Sequence, residues 1–409
     1  MRRRVVISSA GVISSAGRGT DALTTAIREG VCSLAPDERL RALGTRGVLS
    51  GPLPDVDAAF DALAIETSRR ALFGRFCRIG AVAAFDALAG AGGRTPPAIG
   101  RVLVATAVGP MGELESCFRD TLLGDRHPLS THAVTRATPS FLATYLAGAL
   151  GAPRGGCVVS CACVSALQAM RDAVELIAAG TEDACLVGAV DEDSPSSYWA
   201  FDAQRLLGQA RTSDARTRSL SGKPGGFIPT GGAAFFVLEA EEIALASGRT
   251  PAVSIAGVTV RSEPRPASLL AFPAAAYRAA LHDADVFRGS GFDLVLAHAP
   301  PTVADVDELR LLDEAFDLAS SGTPVRSFKS LFGYALGAAA AIDVALARSA
   351  IELGEVLPND ACLLESSARP FAKSLEGPAQ RRTVTRVLKT AYAQGGVAGA
   401  LVLERTGHR

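Results

Sequence analysis

Four stretches of the chain combine reactive side chains with a local pattern that would present them. The first is GGCVVSCACVSALQAM, Gly155 to Met170, where a short β-type run ends at Cys163 and an amphipathic helical pattern starts at Ser165. This junction places Cys163 at a helix N-terminus. Unpaired backbone N–H groups and the helix dipole there favour a thiolate, the form of cysteine that attacks a thioester. The competing reading is a small buried cysteine filling a sheet–helix junction, since Cys is among the most buried residue types. Cys157, Cys161 and Cys163 also show a C-x-x-x-C-x-C spacing, but no second Cys/His cluster lies nearby to complete a ligand set, so no metal is expected.

His298 ends the apolar run FDLVLAHAPPT, at the C-terminal end of an expected strand, where open α/β sheets keep their sites. A neutral imidazole there can donate its N–H to a thioester oxygen as negative charge develops. His127, His132, His282 and His408 read as loop histidines, and Asp305, Asp307 and Glu308 as a solvated helix start. In FKSLFGYALGAAAAID, Lys329 and Tyr334 flank a Gly-containing turn that enters an Ala-rich helix; the plainer reading is a surface Lys and a core Tyr. In AYAQGGVAGALVLE, Gly395 and Gly396 form a turn before the last strand, so that a backbone N–H can face a ligand.

The elements that must position these residues are visible as apolar, β-branched runs. They lie at Arg4 to Ile7, Val102 to Val108, Cys185 to Val190, Ala233 to Leu238, Val253 to Val260, Phe292 to Ala297 and Ala400 to Leu403. Helical patterns at Phe76 to Ala91, Ser165 to Ala179 and Gly337 to Leu353 alternate with them, which predicts an α/β protein with largely parallel buried sheets. GGAAFFVLEAEE and VAGALVLERTGH echo each other, as do the helices after Cys163 and after Gly337. Two related halves, 1–245 and 246–409, would join at the charged, Gly-containing break Ala244 to Thr250. Ala35 to Asp57 and Gln209 to Pro229 read as irregular.

With 48% hydrophobic and 20% charged residues, the composition is that of a globular chain with a sizeable core. A net charge of −1 provides no long-range field for nucleic acid or an anionic membrane. The opening MRRRVVISSAG is interrupted too early for a signal peptide, and the Ala-rich stretches carry Asp343 and Arg348, so no membrane span is expected. The eight cysteines are too sparse for a disulfide scaffold. These features together predict a cytoplasmic protein with reduced thiols.

Taken in order, the motifs resemble those of the β-ketoacyl-acyl-carrier-protein synthases, over nearly the whole chain. VSCACVSALQAM is similar to the family's Ser/Thr-Ala-Cys-Ser-Ser motif, with the nucleophile at Cys163 and Cys161 where Thr is usual. HAPPT resembles His-Gly-Thr-Gly-Thr at His298 and Thr302, with both Gly lost. KSLFGYALGAAA resembles Lys-Ser-x-x-Gly-His-x-x-Gly-Ala-Ala at Lys329, Ser330, Gly333, Gly337 and Ala338, but Tyr334 stands in place of the second catalytic His. AQGGVA puts Gln394 in place of the family's gating Phe and Ala398 in place of its Asn, and Thr230 to Ala234 loses the Glu of Gly-Glu-Gly-Ala-Gly.

The resemblance implies a thiolase-like α/β fold, two similar halves in five αβαβα layers. It also implies acyl transfer to Cys163 from an acyl carrier protein, with the backbone N–H groups of Cys163 and Gln394 as oxyanion hole and Gly395 and Gly396 shaping the gating loop. His298, Tyr334 and Lys329 would serve a decarboxylative condensation with a malonyl-type extender, and Thr302 would contact substrate. No cofactor is implied beyond the phosphopantetheine arm delivered by the carrier. The implied assembly is a homodimer, or a heterodimer with another ketosynthase-type subunit, and Arg69, Arg70, Arg75 and Arg78 are a candidate carrier-docking face beside the plainer reading of an ordinary helix face. Loss of the second His leaves two further readings open, a non-decarboxylating acyltransferase using Cys163 and a non-catalytic, chain-length-factor-like subunit.

Overall fold

The computed structural model describes residues 2–54, 56–95, 97–122, 130–264, 271–287, 289, 291–360 and 363–407. The main sheet is built from β1 (Val5–Ser14), β2 (Arg101–Ala105), β3 (Gly156–Val159), β4 (Ala184–Asp191), β5 (Gly232–Ala240), β6 (Val253–Ser262), β7 (Leu294–Leu296), β8 (Val325–Arg326), β9 (Arg386–Ala393) and β10 (Val397–Arg405), with a two-residue strand, Gly17–Arg18, beside β1. Helices that cover or link it are α1 (Arg75–Gly90), α2 (Ser140–Ala149), α3 (Ser165–Ala178), α4 (Pro195–Ala203), α5 (Ala274–Asp285), α6 (Ala304–Phe316), α7 (Lys329–Phe332) and α8 (Ala339–Leu353). No described helix is long and apolar enough to cross a membrane.

The strand order is β3-β2-β4-β5-β1 followed by β6-β10-β9-β7-β8, so each run of five strands has the same order counted from its first strand. The senses repeat too. The first and fifth strands pair antiparallel, as do the fifth and fourth, whereas the fourth with the second and the second with the third are parallel. The halves meet where β1 pairs β6, Val5 opposite Ile255 and Val6 opposite Ser254. The two echoing sequences lie in β5 and β10, the fifth strand of each half, and the two echoing helices, α3 and α8, each follow the third.

Three apolar cores separate five layers. One lies between α1 and α2 and the first half's strands, one between the strands of the second half and α5 and α6, and one around α3 and α8 in the middle. α8 is buried at every position from Ala339 to Ala347, which accounts for its alanines, since a helix pressed from both sides has room only for small side chains. Gly11 lets α1 approach β1, because a Cβ there would stand 2.1 Å from the Ala83 carbonyl oxygen.

The sheet is not largely parallel as expected, since five of the nine pairings among β1 to β10 are antiparallel, and several elements also depart from the sequence reading. β1 runs on to Ser14, since Ser9 to Ile13 continue the ladder with β5 past a bulge at Ser8. Ala35 to Asp57 contains a two-residue hairpin pairing and a short helix, Glu38–Ala42. β8 and β9 were absent from the expected strands, β8 because it is only two residues long and β9 because Lys389 interrupts its apolar pattern.

Candidate active site

Each candidate residue follows the C-terminal end of a strand or lies in a turn beside one, so the topology gathers them at one edge of the sheet. Cys163 sits on a sharp elbow between β3 and α3. Ala162 takes φ +48 there, and Ser165 Oγ pins the elbow by accepting the Cys161 N–H at 2.7 Å while lying 2.9 Å from the Thr106 carbonyl oxygen. Ala299, beside His298, has φ +27, and Leu336, two residues beyond Tyr334, has φ +47. These are half of the six non-glycine residues with positive φ among the described residues. Such strain persists only where surrounding contacts over-determine the backbone, and here it brackets all three side chains.

Tyr334 and His298 are both buried, and Tyr334 Oη lies 3.1 Å from His298 Nε2 while also facing the Cys163 sulfur. Burial, reinforced by Lys329 and Lys389, holds His298 well below the ordinary imidazole range, so the ring is neutral. His298 Nδ1 has no partner among the described residues, and a bare acceptor costs less when buried than an orphaned N–H, which assigns the ring proton to Nε2. The result is a chain of donors, His298 Nε2–H to Tyr334 Oη and Tyr334 O–H to Cys163 Sγ. Burial pushes the thiol up to about 11, with the Tyr334 hydrogen bond pulling the other way. Cys163 is therefore a thiol at rest. The expectation of a thiolate is corrected, because desolvation outweighs the favourable end of α3.

The carboxylates around this chain are structural and buried. Glu308 is not part of a solvated helix start: it is 0% exposed and accepts the His298 N–H at 2.9 Å, the Ala299 N–H at 2.7 Å, Tyr277 Oη at 2.7 Å and Thr390 Oγ1 at 2.8 Å. Asp305 is also buried and accepts the Thr302 N–H at 3.1 Å, whereas Asp307 is exposed. Asp191 accepts from Thr106 Oγ1 and the N–H groups of Ala107, Val108 and Gly109 in the first half, and from the Gly337 N–H in the second at 2.8 Å. It ties together the two loops that wall the site.

Lys329 is buried rather than on the surface, and its Nζ lies 2.8 Å from Asp343 Oδ2. It stands behind the site, outside the cavity that the other side chains line. Sequence reasoning missed Lys389, which reaches the same Asp343 oxygen at 2.7 Å, as well as Glu308 and Asp191. A lysine inside an otherwise apolar run and carboxylates at the ends of strands were the available signals.

Cys163, His298 and Tyr334 line a cavity of about 350 Å³ whose other walls are mainly apolar, with Phe227 packed edge-on against both Phe201 and Tyr334. Thr302, Gln204 and Gln394 also line it, and among the described residues no Asp, Glu, Lys or Arg does. Gln394 is exposed in the β9–β10 turn, where Gly395 and Gly396 take φ +91 and +82, and its Nε2 donates to Gln204 Oε1 at 3.0 Å. Among the described residues no group of His, Cys, Asp and Glu is arranged to hold a metal.

Of the remaining histidines, His282 is exposed and His132 partly so, while His127 and His408 lie outside the described residues. Arg69, Arg70, Arg75 and Arg78 do not form a free cationic face. Each is near a carboxylate, Glu66 at 3.0 Å, Asp61 at 2.8 Å, Asp193 at 3.6 Å and Asp57 at 2.7 Å, and Arg70 and Arg78 also lie over the Phe60 ring. These contacts support the plainer reading of a helix face.

A two-half α/β fold with a cysteine elbow after the third strand of one half and a histidine after the second strand of the other defines a thiolase-like scaffold. The Beta-ketoacyl synthase N-terminal domain matches residues 2–244 and the Beta-ketoacyl synthase C-terminal domain residues 254–362, so the chain belongs to the beta-ketoacyl synthase family. It is 28% identical to the tetracenomycin polyketide synthase ketoacyl synthase alpha subunit of Streptomyces glaucescens, over 98% of this chain and 97% of that one. Among solved structures, the ishigamide ketosynthase/chain length factor superposes with a TM-score of 0.84 at 22% identity, covering 100% of both chains. A type II polyketide acyl-carrier protein in complex with its ketosynthase bound to the hexaketide gives 0.82 at 23% identity, covering 99% of this chain and 100% of that one.

Proposed function

We propose that this protein is a condensing ketosynthase of polyketide or fatty-acid-like biosynthesis in which Tyr334 does the work of the family's second histidine. The observation that carries the reading is the Tyr334 hydroxyl, 3.1 Å from His298 Nε2 and facing the Cys163 sulfur at a mainly apolar cavity that no charged side chain among the described residues lines. In the first step the Cys163 sulfur attacks the thioester of an acyl carrier protein, forming one C–S bond as the carrier's breaks. The thiol proton ends on the departing carrier sulfur, and the donor chain from His298 through Tyr334 stabilises negative charge on Cys163 as it develops. Backbone N–H groups of Cys163 and Gln394 would receive the oxyanion.

Acylation occupies the sulfur and frees both donors. A malonyl-type thioester then loses carbon dioxide, and Tyr334 O–H and His298 Nε2–H receive the charge on its thioester oxygen. The resulting carbanion attacks the Cys163 thioester, and the released sulfur takes up one proton. One ring tautomer serves both steps. Lys329 and Asp343 support the site from behind, and Thr302 contacts the arm of the carrier at the mouth. We read residues 1–245 and 246–409 as the two halves that supply nucleophile and donors respectively.

The chain-length-factor-like reading has the strained Cys163 elbow and the aligned donors against it, since a purely structural subunit has no need of either. The test is intact-mass analysis of the purified protein with an acyl-carrier thioester series, Cys163→Ala as control and malonyl carrier protein added second. An acyl adduct on Cys163 that converts to a β-ketoacyl product is the expected result. An adduct that never condenses would replace this reading with the acyltransferase, and no adduct would leave the subunit reading.

A further inference from the structure

Lys389 belongs to none of the motifs that mark the family, yet it is the least expected side chain in the central layer. It projects from the middle of β9, beside Leu296 of β7 and Leu401 of β10, on the strand face that carries Val387, Ala391 and Ala393 into the middle core. It is 0% exposed. A buried ammonium needs acceptors, and this one has two, Asp343 Oδ2 at 2.7 Å and the Ala297 carbonyl oxygen at 3.2 Å. Asp343 Oδ2 is already shared with Lys329 at 2.8 Å, so two cations lean on one carboxylate oxygen. The second acceptor is the carbonyl immediately before His298.

We propose that Lys389 is a positioning residue for His298, gripping the end of β7 through Ala297 and, as the second of two buried cations, holding the imidazole in its neutral, single-donor form. The reading rests on the donor chain described above, in which His298 gives one proton from Nε2. The groups facing the ring set its charge from every side. Cys163 and Tyr334 are neutral, Tyr392 packs edge-on at 4.5 Å, Glu308 is already engaged by four donors, and Asp343 is neutralised by Lys329. Lys389 thus adds a second positive charge beside the ring, with Asp343, which it shares with Lys329, and Glu308 as the carboxylates acting on it. Burial lowers the His298 pKa most, and the charges of Lys329 and Lys389 lower it further.

The test is the titration of the His298 ring, followed by NMR of histidine-labelled protein without substrate, with His298→Gln to assign its resonance. Lys389→Gln keeps a donor for Ala297 and drops the charge, whereas Lys389→Arg keeps the charge. Lys389→Gln should raise the His298 midpoint by about one pH unit or more, and Lys389→Arg should leave it near the wild-type value. Asp343→Asn approaches the same claim from the other side and should lower the midpoint further, so the test does not depend on one variant folding. Unchanged titration in Lys389→Gln, or in Asp343→Asn if only that variant folds, would overturn the proposal. Because no acyl group is involved, a protein that never loads Cys163 would refute the condensing reading and leave this measurement intact.

Discussion

Cys163 and Tyr334 carry opposite consequences for pH. The thiol, pushed up to about 11, should react slowly with iodoacetamide at neutral pH, and its alkylation rate should climb as pH rises toward that value. The Tyr334 hydrogen bond lowers the thiol, so Tyr334→Phe should shift the alkylation curve to still higher pH; a shift to lower pH would contradict the donor chain. Cys163, His298 and Tyr334 stood out in the sequence because reactive residue types lay at strand ends and turns, whereas Thr302 and Gln394 were singled out only by the resemblance of their motifs. Lys389 and Glu308 were not, since their roles depend on partners about ninety and ten residues away, brought close only by the sheet and by the first turn of α6.

At the scale of elements, one carboxylate links the loop after β2 to the turn before α8. Asp191 is raised by burial even though its hydrogen bonds lower it, and its five described partners come from both halves. Asp191→Asn would set an amide N–H₂ against backbone N–H groups, costing about 2–4 kcal/mol in urea denaturation and loosening Tyr334 relative to Cys163. Glu192 and Asp305 are held by burial at about 7 and about 8, above their unfolded values. A raised carboxyl adds stability that is full below its unfolded pKa and is lost as pH rises through its folded one. The fold should therefore lose stability from these two groups between about pH 4 and 8, and Glu192→Gln should flatten that slope. Element types and most strand positions were readable from periodicity, but β9 was not, because a single buried lysine breaks the pattern that marks a strand.

The whole molecule is one topology used twice, which is why its two sequence echoes fall on equivalent elements. β3 lies at one end of the strand order, pairs only with β2 among the described residues, and is partly exposed at all four positions. An edge of that kind calls for a partner. Sedimentation should give twice the chain mass alone, or a heterodimer with a second ketosynthase-type subunit; a monomer under both conditions would contradict the dimer. Layers and duplicated halves could be anticipated from the sequence, whereas the closing of two loops around one cysteine could not, since Asp191 and Gly337 are far apart in the chain.

The central claim is that Tyr334 supplies the missing second donor, and single-turnover condensation tests it most directly. Protein preloaded with an acyl group on Cys163 is mixed with carboxyl-labelled malonyl carrier protein, and labelled carbon dioxide and β-ketoacyl product are followed together in wild type and Tyr334→Phe. The account predicts stoichiometric release and product in the wild type and a rate lower by about a hundred- to a thousandfold in Tyr334→Phe. Equal rates in the two proteins, or a loaded wild type that releases no carbon dioxide, would contradict it.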